Sequence, residues 1–136
     1  MSQEVKVINL PCKEVFIEKS ERTVSNVHSF YLRYCTLLKV MLSLSNQERD
    51  VLAEILYKNY FLQSKIKEDN LRWSYIFGMQ CRKDMRDDLN ISYSIFNNHL
   101  TSFRKKNILK GDKIVDGIVV YPVDDKFSLN FNFSII

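Results

Sequence analysis

Over residues 92–106 the side chains Tyr93, Ser94, Asn97, Asn98, Thr101 and Arg104 lie on the side away from Phe96, Leu100 and Phe103, which recur at steps of four and three. A helix with that spacing has one apolar face for the core and one face dense in hydrogen-bonding groups. Ser92 is placed to cap its first turn. Such a set supplies hydrogen-bonded recognition, and the rest of the chain offers no chemistry of another kind. There is no glycine-rich phosphate loop, GxSxG or HExxH pattern, and no Cys or His stands beside a third triad member, so no catalytic residue is assigned. Asp87-Asp88 and Asp124-Asp125 read as surface or turn residues. Cys12, Cys35 and Cys81 lack CxxC spacing, and His28 and His99 are isolated, so no metal ligands and no cofactor are expected. The cysteines read as reduced and mostly buried, and His99 as a partly buried packing residue.

The elements around this helix are what would position it. Residues 82–90 predict a helix of one to two turns with Met85 and Leu89 on its buried side, and Asn90 suits a left-handed turn residue. Ile91 joins the core from the turn. After Asn107 the period becomes extended, with Ile108-Leu109 and Ile114-Val115 followed by Asp116-Gly117, a strong hairpin-turn signal, and then residues 118–121. The order helix, short turn, polar-faced helix, hairpin is what reading the DNA major groove requires, because one helix enters the groove while the preceding one braces it.

Upstream, Ser45 and Glu48 form a capping box that opens a helix with Val51, Leu52, Ile55, Leu56 and Tyr60 on one face. Residues 65–70 are a polar break, and residues 71–77 predict a short helix ended near Gly78, with Trp73 in the core. From residue 22 to residue 42 an apolar stripe of Val24, Val27, Tyr31, Tyr34, Leu38 and Met41 predicts a long helix. It would pack on the rest of the domain or on a second copy. Residues 5–10 and 14–17 predict short strands. Phe127, Leu129, Phe131, Phe133 and Ile135 alternate with polar residues in a final strand, which must pair with the N-terminal strand or another subunit.

With 136 residues, 46% of them hydrophobic, nine Phe and seven Tyr, the chain can bury a core as one domain with an added element. The N-terminal residues carry no signal-peptide pattern and no apolar run could span a bilayer, so a cytoplasmic protein without a membrane partner is expected. Residues 82–113 contain eight Lys or Arg against four Asp, a net of +4 that equals the formal charge of the whole chain. The positive charge sits with the motif, although Asp84, Asp87 and Asp88 lie on the bracing helix.

Residues 44–121 resemble winged helix-turn-helix DNA-binding proteins of bacteria and phages, closest to small proteins of the Bacteroides-phage type. The resemblance rests on Leu44-Ser45-xx-Glu48, on Arg82-xx-Met85-xxx-Leu89-Asn90-Ile91-Ser92, and on Asn97-Asn98-His99-Leu100-xx-Phe103-Arg104-Lys105-Lys106-Asn107-Ile108. Asn107 stands where those proteins usually have Gly. The resemblance implies a winged helix-turn-helix over 44–123; with the N-terminal segment over 1–43, expected from its apolar helix to be an oligomerisation element, and the C-terminal strand over 124–136, both read from their own residues, the fold expected is mainly helical α+β. It implies double-stranded DNA as partner, in transcription regulation, while the apolar helix over 22–42 and the terminal strands predict a homo-oligomer, the dimer favoured. Tyr93, Ser94, Asn97, Asn98 and Thr101 would then face base edges, and Ser92, Arg104, Lys105, Lys106, Lys110 and Lys113 would meet phosphates. The alternative expectation is a phage virion, packaging or assembly component whose winged helix binds phage or host proteins.

Overall fold

The computed structural model describes residues 5–10, 23–122 and 127–132, with side chains described over residues 27–122. Among the described residues the fold is mainly helical with two small two-stranded antiparallel sheets, an α+β arrangement. The elements in order are β1 (Val5–Leu10), α1 (Thr23–Leu42), α2 (Asn46–Leu62), α3 (Asp69–Ile76), α4 (Met79–Leu89), α5 (Tyr93–Lys105), β2 (Leu109–Lys110), β3 (Lys113–Ile114) and β4 (Phe127–Asn132). They fall into two compact units, Met1–Phe30 with Pro122–Ile136, and Tyr31–Tyr121.

In the first unit β1 pairs antiparallel with β4, with Ile8 opposite Leu129 and Leu10 opposite Phe127. The final strand thus finds the N-terminal strand, one of the two partners expected for it. The strand expected over 14–17 and the positions Phe133 and Ile135 lie outside the described residues.

The second unit is organised around α2. Ser45 Oγ accepts from the Glu48 N–H at 3.1 Å while Ser45 N–H donates to Glu48 Oε1 at 2.8 Å, so the capping box forms and starts the helix. Its residues 51–56 are all buried. The single apolar face expected from the spacing is therefore too narrow, because α3, α4 and α5 all pack on α2 and cover Ala53 and Glu54 as well. From the end of α1, Tyr31, Tyr34, Cys35 and Leu38 are buried, whereas Val40 and Met41 are exposed.

Two local conformations set the geometry of α4 and α5. Gly78 N-caps α4, which begins at Met79, three residues before the predicted start, and runs to Leu89. Asn90 adopts the left-handed region at φ 57°, ψ 49°, and Ser92 Oγ then accepts from the Ile95 N–H at 3.2 Å to open α5. Met85, Phe96, Leu100 and Phe103 are buried between these helices and α2, and each contributes about 1.5–3 kcal/mol through burial. Leu89 and Ile91 are half-buried.

The hairpin differs from its expected position. β2 and β3 turn at Gly111-Asp112, with Gly111 at φ 60°, not at Asp116-Gly117. Asp116 and Gly117 sit instead in a separate turn closed by Ile118 N–H on Val115 O at 3.0 Å. Among the described residues the segment 118–121, expected as a strand, pairs with no strand, and tyrosines take two of its carbonyls. Tyr34 donates to Ile118 O and Tyr31 to Val120 O, each at 2.7 Å. Burial raises the pKa of both phenols well above the ordinary tyrosine value, so they remain neutral donors.

Candidate nucleic-acid interface

α5 presents three strips around its buried Phe96–Leu100–Phe103 side. Ser94, Asn98, Thr101 and Lys105 follow one another at steps of four, three and four, and all four are exposed. They form the outward row. Thr101 Oγ1 donates to Asn97 O at 3.1 Å and can still accept.

One flank turns toward α4 and the hairpin. It carries Tyr93, 62% exposed, with the Arg86 guanidinium carbon 5.2 Å from its ring centroid, and Asn97, half-buried. Arg104 lies on the same flank and donates to Gly111 O at 3.3 Å, with Asp112 Oδ1 3.5 Å away. The other flank turns toward α2. There His99 Nε2 lies 2.8 Å from Gln47 Oε1, Ser102 donates to Glu48 Oε2, and Lys106 donates to Ser43 O at 2.7 Å and pairs with Glu48 Oε1 at 3.3 Å. Burial pushes Glu48 up, but the Ser102 hydroxyl, the Ser45 N–H and the Lys106 ammonium together hold its carboxyl below the ordinary carboxylate value.

The six residues assigned to phosphates are therefore not equivalent. Ser92 caps α5, Arg104 ties its end to the hairpin turn, and Lys106 closes the Glu48 cluster. Lys113 pairs with Asp69 at 2.9 Å and Asp116 at 3.6 Å. The bond to Asp69 raises Lys113 above the ordinary lysine value and lowers Asp69 below the ordinary carboxylate value. Lys105 and Lys110 are exposed and make no ion pair among the described residues.

Two cations of this surface escape a reading that stops at α5. Arg82 and Arg86, four residues apart, share the flank of α4 next to Tyr93. Asp84 and Asp88, also four apart, share a different flank, and Asp88 pairs with Lys58 of α2 at 3.6 Å. Asp87 pairs with Lys83 at 2.9 Å, and Asp84 accepts from Gln80 at 2.9 Å. The carboxylates of α4 are thus each engaged, and Asp84 and Asp88 lie away from α5. The signal was available in the i, i+4 spacing of both pairs.

Behind the surface, Arg72 is buried and donates to Asn59 Oδ1 at 2.7 Å, to Ile66 O at 3.0 Å and to Asp69. Asn59 donates in turn to Tyr121 at 3.0 Å. Because Asp69 also holds Lys113, this network ties β3 to α3 and α2. Cys35 and Cys81 are buried thiols whose pKa burial raises, and Cys12 lies outside the described residues. Among the described residues no cluster of His, Cys, Asp or Glu could hold a metal ion, and no helix is long and apolar enough to cross a membrane. Comparison with family models, curated proteins and solved structures finds no match to this chain.

Proposed function

We propose that the chain binds double-stranded DNA through a winged helix-turn-helix made of α4, α5 and the β2–β3 hairpin, as a cytoplasmic regulator of transcription that works as a homodimer. The observation that carries this reading is the outward row Ser94, Asn98, Thr101 and Lys105 on a helix held on both flanks. An exposed row of amide and hydroxyl groups on a rigid helix suits base edges, and an Asn can bridge adenine through two hydrogen bonds. Lys105 and Lys110, joined by Arg82 and Arg86, are the cations left to meet phosphates. The aspartates of α4 do not oppose this, since Asp87 and Asp88 are ion-paired and Asp84 shares the flank of Asp88.

Anisotropy of a labelled random-sequence duplex, titrated at several salt concentrations, tests the reading. Four phosphate contacts per protomer predict a log–log salt slope of about −3.6 for one bound protomer and about −7 for a dimer on two half-sites, at about −0.9 per contact. Absence of duplex binding at low salt would contradict it.

A second reading has its own support. Leu71, Tyr75 and Met79 are 59%, 50% and 85% exposed at steps of four. With Ile66 and Cys81 they line an open depression of about 600 Å³. An exposed apolar patch of this kind favours a protein partner, as an assembly or packaging component would require. A complex formed with a phage or host protein and abolished by Met79→Asp, with no duplex bound at any salt, would favour it.

A further inference from the structure

The β2–β3 hairpin is short, and Lys113 is tied back to Asp69 of α3. Leu109 and Ile114 are 1% and 0% exposed, so Lys110, Gly111, Asp112 and Lys113 alone project beyond the core. At about 3.3 Å per residue the turn stands roughly 7 Å out, no more than the depth of the minor groove, about 7.5 Å. The residues at its tip are a glycine and an aspartate. A narrow minor groove concentrates negative potential, which draws in Arg or Lys and opposes a carboxylate.

The neighbouring cations are directed elsewhere. Arg104 holds the turn through Gly111 O at 3.3 Å and lies beside Asp112, while Lys113 is held by Asp69 of α3 and by Asp116. Lys110 is the one lysine of the hairpin without an ion pair among the described residues.

We propose that the hairpin stays out of the minor groove and serves as a brace for α5, so that sequence is read from the major groove alone. Lys110 then meets a backbone phosphate. This inference rests on the DNA-binding reading and adds which groove is read and which element does not read.

Dimethyl sulfate protection tests it on duplexes enriched from a random-sequence pool by the full chain. The reagent methylates guanine N7, which lies in the major groove, and adenine N3, which lies in the minor groove. The expected result is protection of guanine N7 within the bound site with adenine N3 reactivity unchanged. Protection of adenine N3, or tight binding that protects neither position, would overturn the inference and leave DNA binding standing. Failure to bind any duplex would remove both. Lys110→Ala is expected to lower the magnitude of the salt slope by about 0.9 per bound protomer and leave the protection pattern intact; a changed adenine pattern in that variant would also count against the inference.

Discussion

Glu48 joins three parts of the second unit through one carboxylate, and its replacement by alanine gives the sharpest stability prediction. The side chain caps α2 by accepting from Ser45 N–H, holds α5 through Ser102, and pairs with Lys106 beyond the end of that helix. Glu48→Ala keeps the Ser45 cap on the residue-48 N–H and loses the reciprocal bond from Ser45 N–H, which contributes about 1 kcal/mol. Loss of charge-assisted bonds from Ser102 and Lys106 adds roughly 1.5–3 kcal/mol, and these contributions overlap because they share one group. Glu48→Ala is therefore expected to destabilise by about 2–4 kcal/mol. Trp73 is the sole tryptophan and is buried beside Phe77, so its fluorescence reports unfolding in urea.

The acid dependence follows from the direction of the Glu48 shift. A carboxyl whose folded-state pKa lies below its unfolded value contributes stability that is complete above the unfolded value, about 4.3, and is lost as pH falls through the folded one. Glu48→Gln keeps the shape and removes the titration. Its deficit relative to wild type should be present at pH 7 and shrink as pH drops below about 4. A Glu48→Ala loss under about 0.5 kcal/mol, or a Glu48→Gln deficit constant across that range, would refute the reasoning.

Other substitutions separate structural from recognition roles. Asn90→Ala should destabilise by about 1–2 kcal/mol because a Cβ without a polar head is strained at φ 57°, whereas Asn90→Gly should be near neutral; thermal melts compare them. Arg72→Met should cost about 3–5 kcal/mol in urea titrations, since Asn59 and the Ile66 carbonyl lose a buried charged donor, and Arg72→Lys should rescue it only in part. Lys105→Ala is expected to weaken duplex binding at unchanged stability, while Lys106→Ala is expected to lower stability through the Glu48 cluster. Paired anisotropy and unfolding measurements distinguish the two.

Features written in short stretches of chain were legible. The Ser45–Glu48 capping box, the Asn90 turn, the Ser92 cap and the Phe96–Leu100–Phe103 spacing depend on neighbours within four residues, and each forms. The pairing of β1 with β4 followed from the need to cover an apolar strand edge, although its register did not. Long-range partners were not legible. Asp116-Gly117 is a good local hairpin signal, but the Tyr31 and Tyr34 hydroxyls, more than 80 residues away, take the carbonyls of the segment after it.

The same limit governs the candidate site. Counting formal charge over residues 82–113 treats Lys106 and Lys113 as available, yet their partners Glu48 and Asp69 lie outside that window. It treats the aspartates of α4 as a barrier, yet the helix turns Asp84 and Asp88 to a flank other than that of Arg82 and Arg86. The polar side of α5 was visible as a whole. Its division into an outward row and two tethered flanks required the positions of α2, α4 and the hairpin.

The most direct test of the DNA-binding proposal compares wild type with Asn98→Ala on two duplexes, one enriched by the wild-type chain from a random pool and one of scrambled sequence. Wild type should prefer the enriched duplex by about a thousandfold or more, and Asn98→Ala should reduce that preference by about 1–3 kcal/mol, roughly five- to 150-fold, at unchanged stability. Identical preferences in the two proteins, or no enrichment of any duplex, would contradict the account.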